Sequence, residues 1–221
     1  MTEEESEEKS APSEDENKLI AQRRLKLDAI RQLGQAYPND FNRKNTAAQL
    51  VADFGDKDRD ELAAISAQTA VAGRIVRMRG PFVVIQDGSG QFQLYLNNKS
   101  FAGAEAELLK TLDLGDIIGV EGEIFRTGKG ELSVRVASFR LLSKSLRPLP
   151  DKYKGLTDTE MRYRQRYVDL IVNEQSRDLF VARSRIVRFI RQYFEELGFM
   201  EVETPMMQII PGGATARPFI T

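Results

Sequence analysis

The chain has 221 residues, of which 41% are hydrophobic and 29% charged; this is enough for a packed core, and no apolar run approaches the roughly 20 residues of a membrane span. It has no Cys and no His, which excludes disulfide frameworks, thiolate or imidazole zinc sites and histidine acid–base chemistry. The net charge of −1 hides an asymmetry: residues 1–17 carry eight acidic side chains and one basic one, so the rest is net positive and compatible with an anionic partner.

Residues 1–17 have no apolar face and are expected to form a disordered acidic tail, neither a signal nor a transit peptide. Residues 18–66 are expected to form a helical lead-in. Leu19, Ile20, Leu27, Ile30 and Leu33 recur at helical spacing up to Gly34, a C-cap, with Pro38 soon after. Arg23, Arg24, Lys26 and Arg31 lie beside them, either as the polar side of a docked helix or as a row facing phosphate. Tyr37–Phe41 reads as a turn with two aromatic anchors. Thr46 N-caps a short helix through Phe54, and Lys57–Ala64 forms another.

Residues 67–143 carry five apolar runs and one helical insert: Ala70–Met78, Phe82–Asp87, Gln91–Leu96, the helix Ser100–Leu112, Asp116–Phe125 and Glu131–Leu142. Val71, Gly73, Ile75 and Met78 form one face of the first run; Phe92, Leu94 and Leu96 alternate with Gln91, Gln93 and Tyr95 in the third. Asp87-Gly88-Ser89-Gly90 and Thr127-Gly128-Lys129-Gly130 are hairpin turns. Three strands, a helix and two strands at this size predict the five-stranded OB barrel, which binds oligonucleotides on the face of strands two and three.

A single-stranded base offers a flat surface for stacking and a polar edge for hydrogen bonds. Phe82 opens the second strand after a basic loop, Arg74–Gly80. Gln93 points opposite to Phe92 and Leu94, and its amide suits the edge of uracil. Arg77 and Arg79 can reach phosphate or a base carbonyl, and Glu131 can accept from a base N–H. Taken singly, Phe82 reads as a core residue or a stacking platform, and Gln93 as a solvated strand residue. The functional reading rests on their convergence.

Residues 144–156 hold two prolines and several bases and are expected to be an extended linker. Thr157 and Glu160 form a capping-box pattern that starts a helix. Ser176–Leu197 is a long amphipathic helix ended by Gly198; Phe199–Glu203 is expected as a strand, followed at once by Pro205.

Arg147-Pro-Leu-Pro-Asp-Lys, Arg162-Tyr-Arg-Gln-Arg-Tyr-Val-Asp-Leu-Ile, Gly198-Phe-Met-Glu-Val-Glu-Thr-Pro-Met-Met and Pro211-Gly-Gly-Ala-Thr-Ala-Arg-Pro-Phe carry a specific resemblance. From about residue 18 onward the chain resembles the bacterial lysyl-tRNA synthetases of class II, and the helix–strand–Pro205 unit is similar to that class's motif 1. The Gly212–Phe219 and Arg147–Lys152 stretches set it apart from the related aspartate and asparagine enzymes. The resemblance implies a mixed β and α chain: N-terminal helices, the barrel as anticodon-binding domain, and residues 157–221 as the truncated start of an α+β catalytic domain. It implies a cytoplasmic homodimeric ligase that uses lysine, ATP and Mg²⁺ to charge tRNA-Lys. Phe82, Gln93, Glu131 and an Arg would read the middle uracil of the anticodon; a Gly73–Phe82 loop shorter than the family pattern leaves Arg79 and Arg77 as alternatives. Pro205 would touch the partner subunit, and Gly212 would lie near bound lysine. Motifs 2 and 3, which hold ATP and Mg²⁺ in the family, have no match in these 221 residues, so the chain alone is expected to be inactive. A stand-alone OB-fold protein for tRNA or other single-stranded RNA is the alternative, but such a module has no use for a motif 1 unit.

Overall fold

The computed structural model describes residues 14–150 and 156–205. They form two compact units that part between Leu149 and Pro150.

In the first unit, helix α1 spans Glu14–Leu33. It begins inside the segment expected as disordered, where Asp15 and Glu16 place negative charge at the positive end of the helix dipole. Leu27 and Ile30 are buried, and Gly34 closes the helix by donating to the Ile30 carbonyl at 3.1 Å. Tyr37 is exposed, whereas the Phe41 ring packs directly on Gly119, where a Cβ would come within 2.8 Å of it. Helix α2 (Ala47–Phe54) carries a full capping box from Thr46 and Gln49, and α3 (Arg59–Ile65) one from Asp58 and Glu61.

Five strands follow: β1 (Gln68–Arg79), β2 (Phe82–Gln86), β3 (Gln91–Tyr95), β4 (Ile117–Arg126) and β5 (Leu132–Ser143). They close into a barrel in the order β1-β2-β3-β5-β4, with β3 and β5 parallel and every other pair antiparallel. Closure leaves no open edge. Alternate residues fill the interior, among them Ile75, Val83, Ile85, Phe92, Leu94, Ile118, Val120, Val134 and Val136. The strand register shifts between Ile75 and Arg77, and again between Glu121 and Gly122. At the second shift a Cβ on Gly122 would fall 2.1 Å from the Arg135 carbonyl oxygen, so only glycine fits there. Beyond the first shift Met78 lies opposite the buried Val83, on the inward side, yet remains exposed.

The helical insert is shorter than its pattern. A single 3-10 turn, Asn98–Ser100, precedes α4 (Gly103–Thr111). The break lets Phe101 turn inward and meet Phe139 edge-on at 5.1 Å between centroids. The stretch expected as a linker also begins inside this unit. Lys144 is buried and donates to Asp113 at 2.6 Å and Asp116 at 2.7 Å, and the Asp116 carboxylate accepts from the Ser145 amide at 2.8 Å.

The second unit opens with α5 (Thr159–Arg164), α6 (Arg166–Val172) and α7 (Glu174–Glu196). Asp158, not Thr157, caps α5: its carboxylate accepts from the Met161 amide at 2.8 Å, and a carboxylate at a helix N-terminus also complements the dipole. Asp169 joins the three helices. Its buried carboxylate accepts from Arg162 at 2.9 Å, Asn173 at 2.6 Å, Ser176 at 3.0 Å and also Arg166. Burial alone would push this carboxyl up. The hydrogen bonds from Asn173, Arg162 and Ser176, with the Arg162 charge, outweigh burial and hold it at about 2, below the usual 3.8. The stability it contributes is therefore complete above the ordinary carboxylate range and disappears as pH falls through about 2. In an acid titration followed by NMR, the Asn173 side-chain amide should move with a midpoint near 2; a midpoint at the ordinary carboxylate value would refute the arrangement.

Helix α7 ends in a Schellman motif: Gly198 (φ +84°) donates to the Glu195 carbonyl, Phe199 donates to Phe194, and the Phe194 and Phe199 rings meet at 5.5 Å. Phe199–Glu203 forms no strand. Among the described residues no neighbouring strand supplies its backbone partners, and Phe199, Met200 and Val202 are exposed. No described helix is long and apolar enough to cross a membrane.

Candidate nucleic-acid interface

Strand register decides which side chains share the barrel's outer face. Residues directly opposite one another across a ladder project to the same side. One row runs Arg79 on β1, Phe82 on β2, Tyr95 on β3, Arg135 on β5 and Glu123 on β4. The next runs Arg77, Val84, Gln93, Ser133 and Phe125 across the same strands. Phe82, Gln93, Arg77 and Arg79, contributed by three strands, thus occupy two adjacent rows of one face.

The two arginines do not sit on a loop. β1 runs through Arg79, so both are exposed strand residues, Arg79 opposite Phe82 and Arg77 opposite Val84. Phe82 is half-buried, with its ring 5.3 Å from Tyr95 at a tilt of 50°. Gln93 is held by Ser133: its Nε2 donates to Ser133 Oγ at 2.9 Å, and that hydroxyl donates to the Glu131 carbonyl at 3.3 Å. Glu131 itself is exposed just before β5. The hairpin fixes its backbone through the Thr127 amide to Glu131 carbonyl bond at 3.0 Å, and Arg126 donates to Gly130 at 2.7 Å. Arg126 also donates to the Lys57 carbonyl at 2.6 Å, tying the hairpin to the loop before α3.

Three further residues on this face escaped the sequence reading. Tyr95 lies between Phe82 and Phe125, meeting Phe125 edge-on at 6.0 Å. The Arg135 guanidinium sits 4.7 Å from the Phe125 centroid. Tyr95 could have been found by its two-residue spacing from Gln93. Phe125 and Arg135 depend on pairings that the local pattern does not carry.

Other expected positions fall elsewhere. Of the basic residues on α1, Arg23 is buried and donates to the Ser145 and Arg147 carbonyls, Lys26 pairs with Asp113 at 2.6 Å, and Arg31 pairs with Asp28 at 3.0 Å. Arg23 and Lys26 are thus spent on the fold, which breaks the expected phosphate-facing row, while Arg31 stays exposed beside Asp28 on its own helix. Pro205 is exposed beyond α7. Gly212 lies outside the described residues, as does most of the expected acidic tail. Among the described residues no cluster of three or more acidic side chains could hold a metal ion.

Comparison with known proteins adds an independent line. Residues 69–142 match the family model of the OB-fold nucleic acid binding domain, and residues 158–221 match that of class II tRNA synthetases (D, K and N). The chain is 56% identical over 216 residues to the lysine–tRNA ligase of Chromohalobacter salexigens, covering 96% of this chain and 43% of that protein. The chain is a homologue of the lysine–tRNA ligases. Those of Hahella chejuensis and Aliivibrio salmonicida are 54% and 56% identical, covering 95% and 94% of this chain. It spans about two fifths of the length of these ligases. The barrel thus falls within the match to the OB-fold nucleic acid binding domain, and the second unit within the match to the class II tRNA synthetases.

Proposed function

We propose that the barrel reads the anticodon of tRNA-Lys for a lysine–tRNA ligase that activates lysine with ATP and transfers it to that tRNA. The observation that carries this reading is the convergence of Phe82, Gln93 and two arginines on one outer face of a barrel that matches the OB-fold nucleic acid binding domain. In this proposal the middle uracil stacks on Phe82. Gln93, with Nε2 engaged by Ser133, offers Oε1 to the uracil N3–H, and Glu131 is a second acceptor at the rim. Arg79, directly opposite Phe82, takes a base carbonyl or the adjoining phosphate; Arg77 stands one row away.

ATP, Mg²⁺ and the lysine site, Gly212 included, belong to the complete cytoplasmic ligase. The segment through Pro205 supplies the homodimer contact in this proposal, and a polypeptide of these 221 residues alone binds RNA without activating lysine.

The test is the affinity of the chain for two anticodon stem-loops at the same salt concentration, one with the uracil-rich anticodon and one with the middle uracil replaced by cytosine. The matched RNA should bind tighter by about 1–3 kcal/mol, the usual scale for one wrongly read base. Equal affinities would overturn the proposal.

A further inference from the structure

We propose that Arg135, laid over Phe125, is a second base-stacking platform, which holds a nucleotide next to the one on Phe82. This rests on the anticodon reading above and extends it to residues that neither the sequence pattern nor that reading uses.

Three observations carry it. First, the guanidinium is positioned. Arg135 Nη1 pairs with Glu123 at 3.4 Å, and the other Glu123 carboxylate oxygen accepts from Ser66 Oγ at 3.0 Å. The arginine is thus held by a carboxylate at its edge and by the Phe125 ring at 4.7 Å. Second, it remains accessible: 57% of its side chain is exposed, while Glu123 and Phe125 behind it are half-buried. A planar cation pinned on a ring with that much open surface is suited to stack on a base, because guanidinium planes stack on bases much as aromatic rings do. Third, the spacing fits a strand of RNA. A single ring, Tyr95, separates Phe82 from Phe125, and Tyr95 lies directly opposite both Phe82 and Arg135 in the ladder. Successive bases can therefore occupy neighbouring platforms on one continuous aromatic patch that spans the two adjacent rows.

A lysine at 135 would keep the charge and lose the plane, which separates stacking from simple attraction to phosphate. The experiment measures binding of the full chain and of its Arg135→Lys and Arg135→Gln variants to the matched stem-loop and to three versions with one abasic site, at the middle position or at either flank. Both variants should bind the matched RNA about tenfold more weakly, within the range of base stacking. That loss should vanish on one of the flank-abasic RNAs and persist on the middle-abasic RNA. Equal loss on all four RNAs, retention of full affinity by Arg135→Lys, coupling to the middle base, or no loss at all would each overturn the proposal. Failure of the anticodon reading looks different: wild-type protein would then bind the middle-abasic RNA as tightly as the matched one. Circular dichroism and melting of both variants should match wild type, since Arg135 is a surface residue.

Discussion

Replacing Lys144 by Met should destabilise the barrel unit by about 3–5 kcal/mol, the scale for removing one partner of a buried ion pair. The Lys144 ammonium is wholly enclosed and spends its three protons on the Thr111 carbonyl at 2.7 Å, Asp113 at 2.6 Å and Asp116 at 2.7 Å. Asp116 is equally enclosed and also accepts from the Asp113 and Ser145 amides, each at 2.8 Å. Asp113 keeps a second cation, Lys26, when Lys144 is lost, but Asp116 loses its ion pair and keeps two backbone amide donors and the more distant charge of Arg74. Domains of this kind have roughly 5–15 kcal/mol of stability in total, so the loss should show as a large fall in the urea midpoint. The double variant with Asp116→Asn should cost less than the two single changes combined, because they remove one shared interaction. A change below about 1 kcal/mol for Lys144→Met would reduce the pair to the rank of a surface salt bridge.

Phe82→Ala should lower affinity for the matched anticodon stem-loop by about 1–3 kcal/mol, the range for one base stacked on an aromatic side chain. The ring is half-buried against Tyr95 on the outer face, whereas the interior on the same strand is filled by Val83 and Ile85. The variant should therefore keep a folded barrel, with most of its loss in binding. If the barrel melts instead, Phe82 serves the core and the stacking role fails. Affinity and melting temperature, measured on the same preparation, separate these outcomes.

The legible parts of the fold are those written in short-range pattern. Alternation in Gln91–Leu96, the Asp87–Gly90 turn and the Thr46 N-cap each depend on residues within a few positions of one another, and the corresponding elements form near their expected bounds. What stayed hidden depends on partners distant in sequence. Lys144 looked like a solvated linker residue because its acids, Asp113 and Asp116, lie across the barrel end. Arg23 looked like a free base until the Ser145 and Arg147 carbonyls came beside it. Phe199–Glu203 has the composition of a strand, but composition supplies no neighbouring backbone, and the described residues offer it none. The interface divides along the same line. Phe82 and Gln93 were visible from their own strands, whereas Phe125 and Arg135 reach them only through the parallel β3–β5 pairing and the β4–β5 ladder. The Thr157 cap illustrates local competition: Asp158, one residue on, offers a charged acceptor and takes the role.

The central claim is that Phe82 and the middle base of the anticodon touch. The measurement that tests it most directly is the affinity of wild type and Phe82→Ala for both the matched and the middle-substituted stem-loop at one salt concentration. Phe82→Ala should lose more affinity on the matched RNA than on the cytosine-substituted one, so that discrimination between the two shrinks in the variant. An equal loss on both RNAs, with discrimination unchanged, would mean that the middle base is read elsewhere.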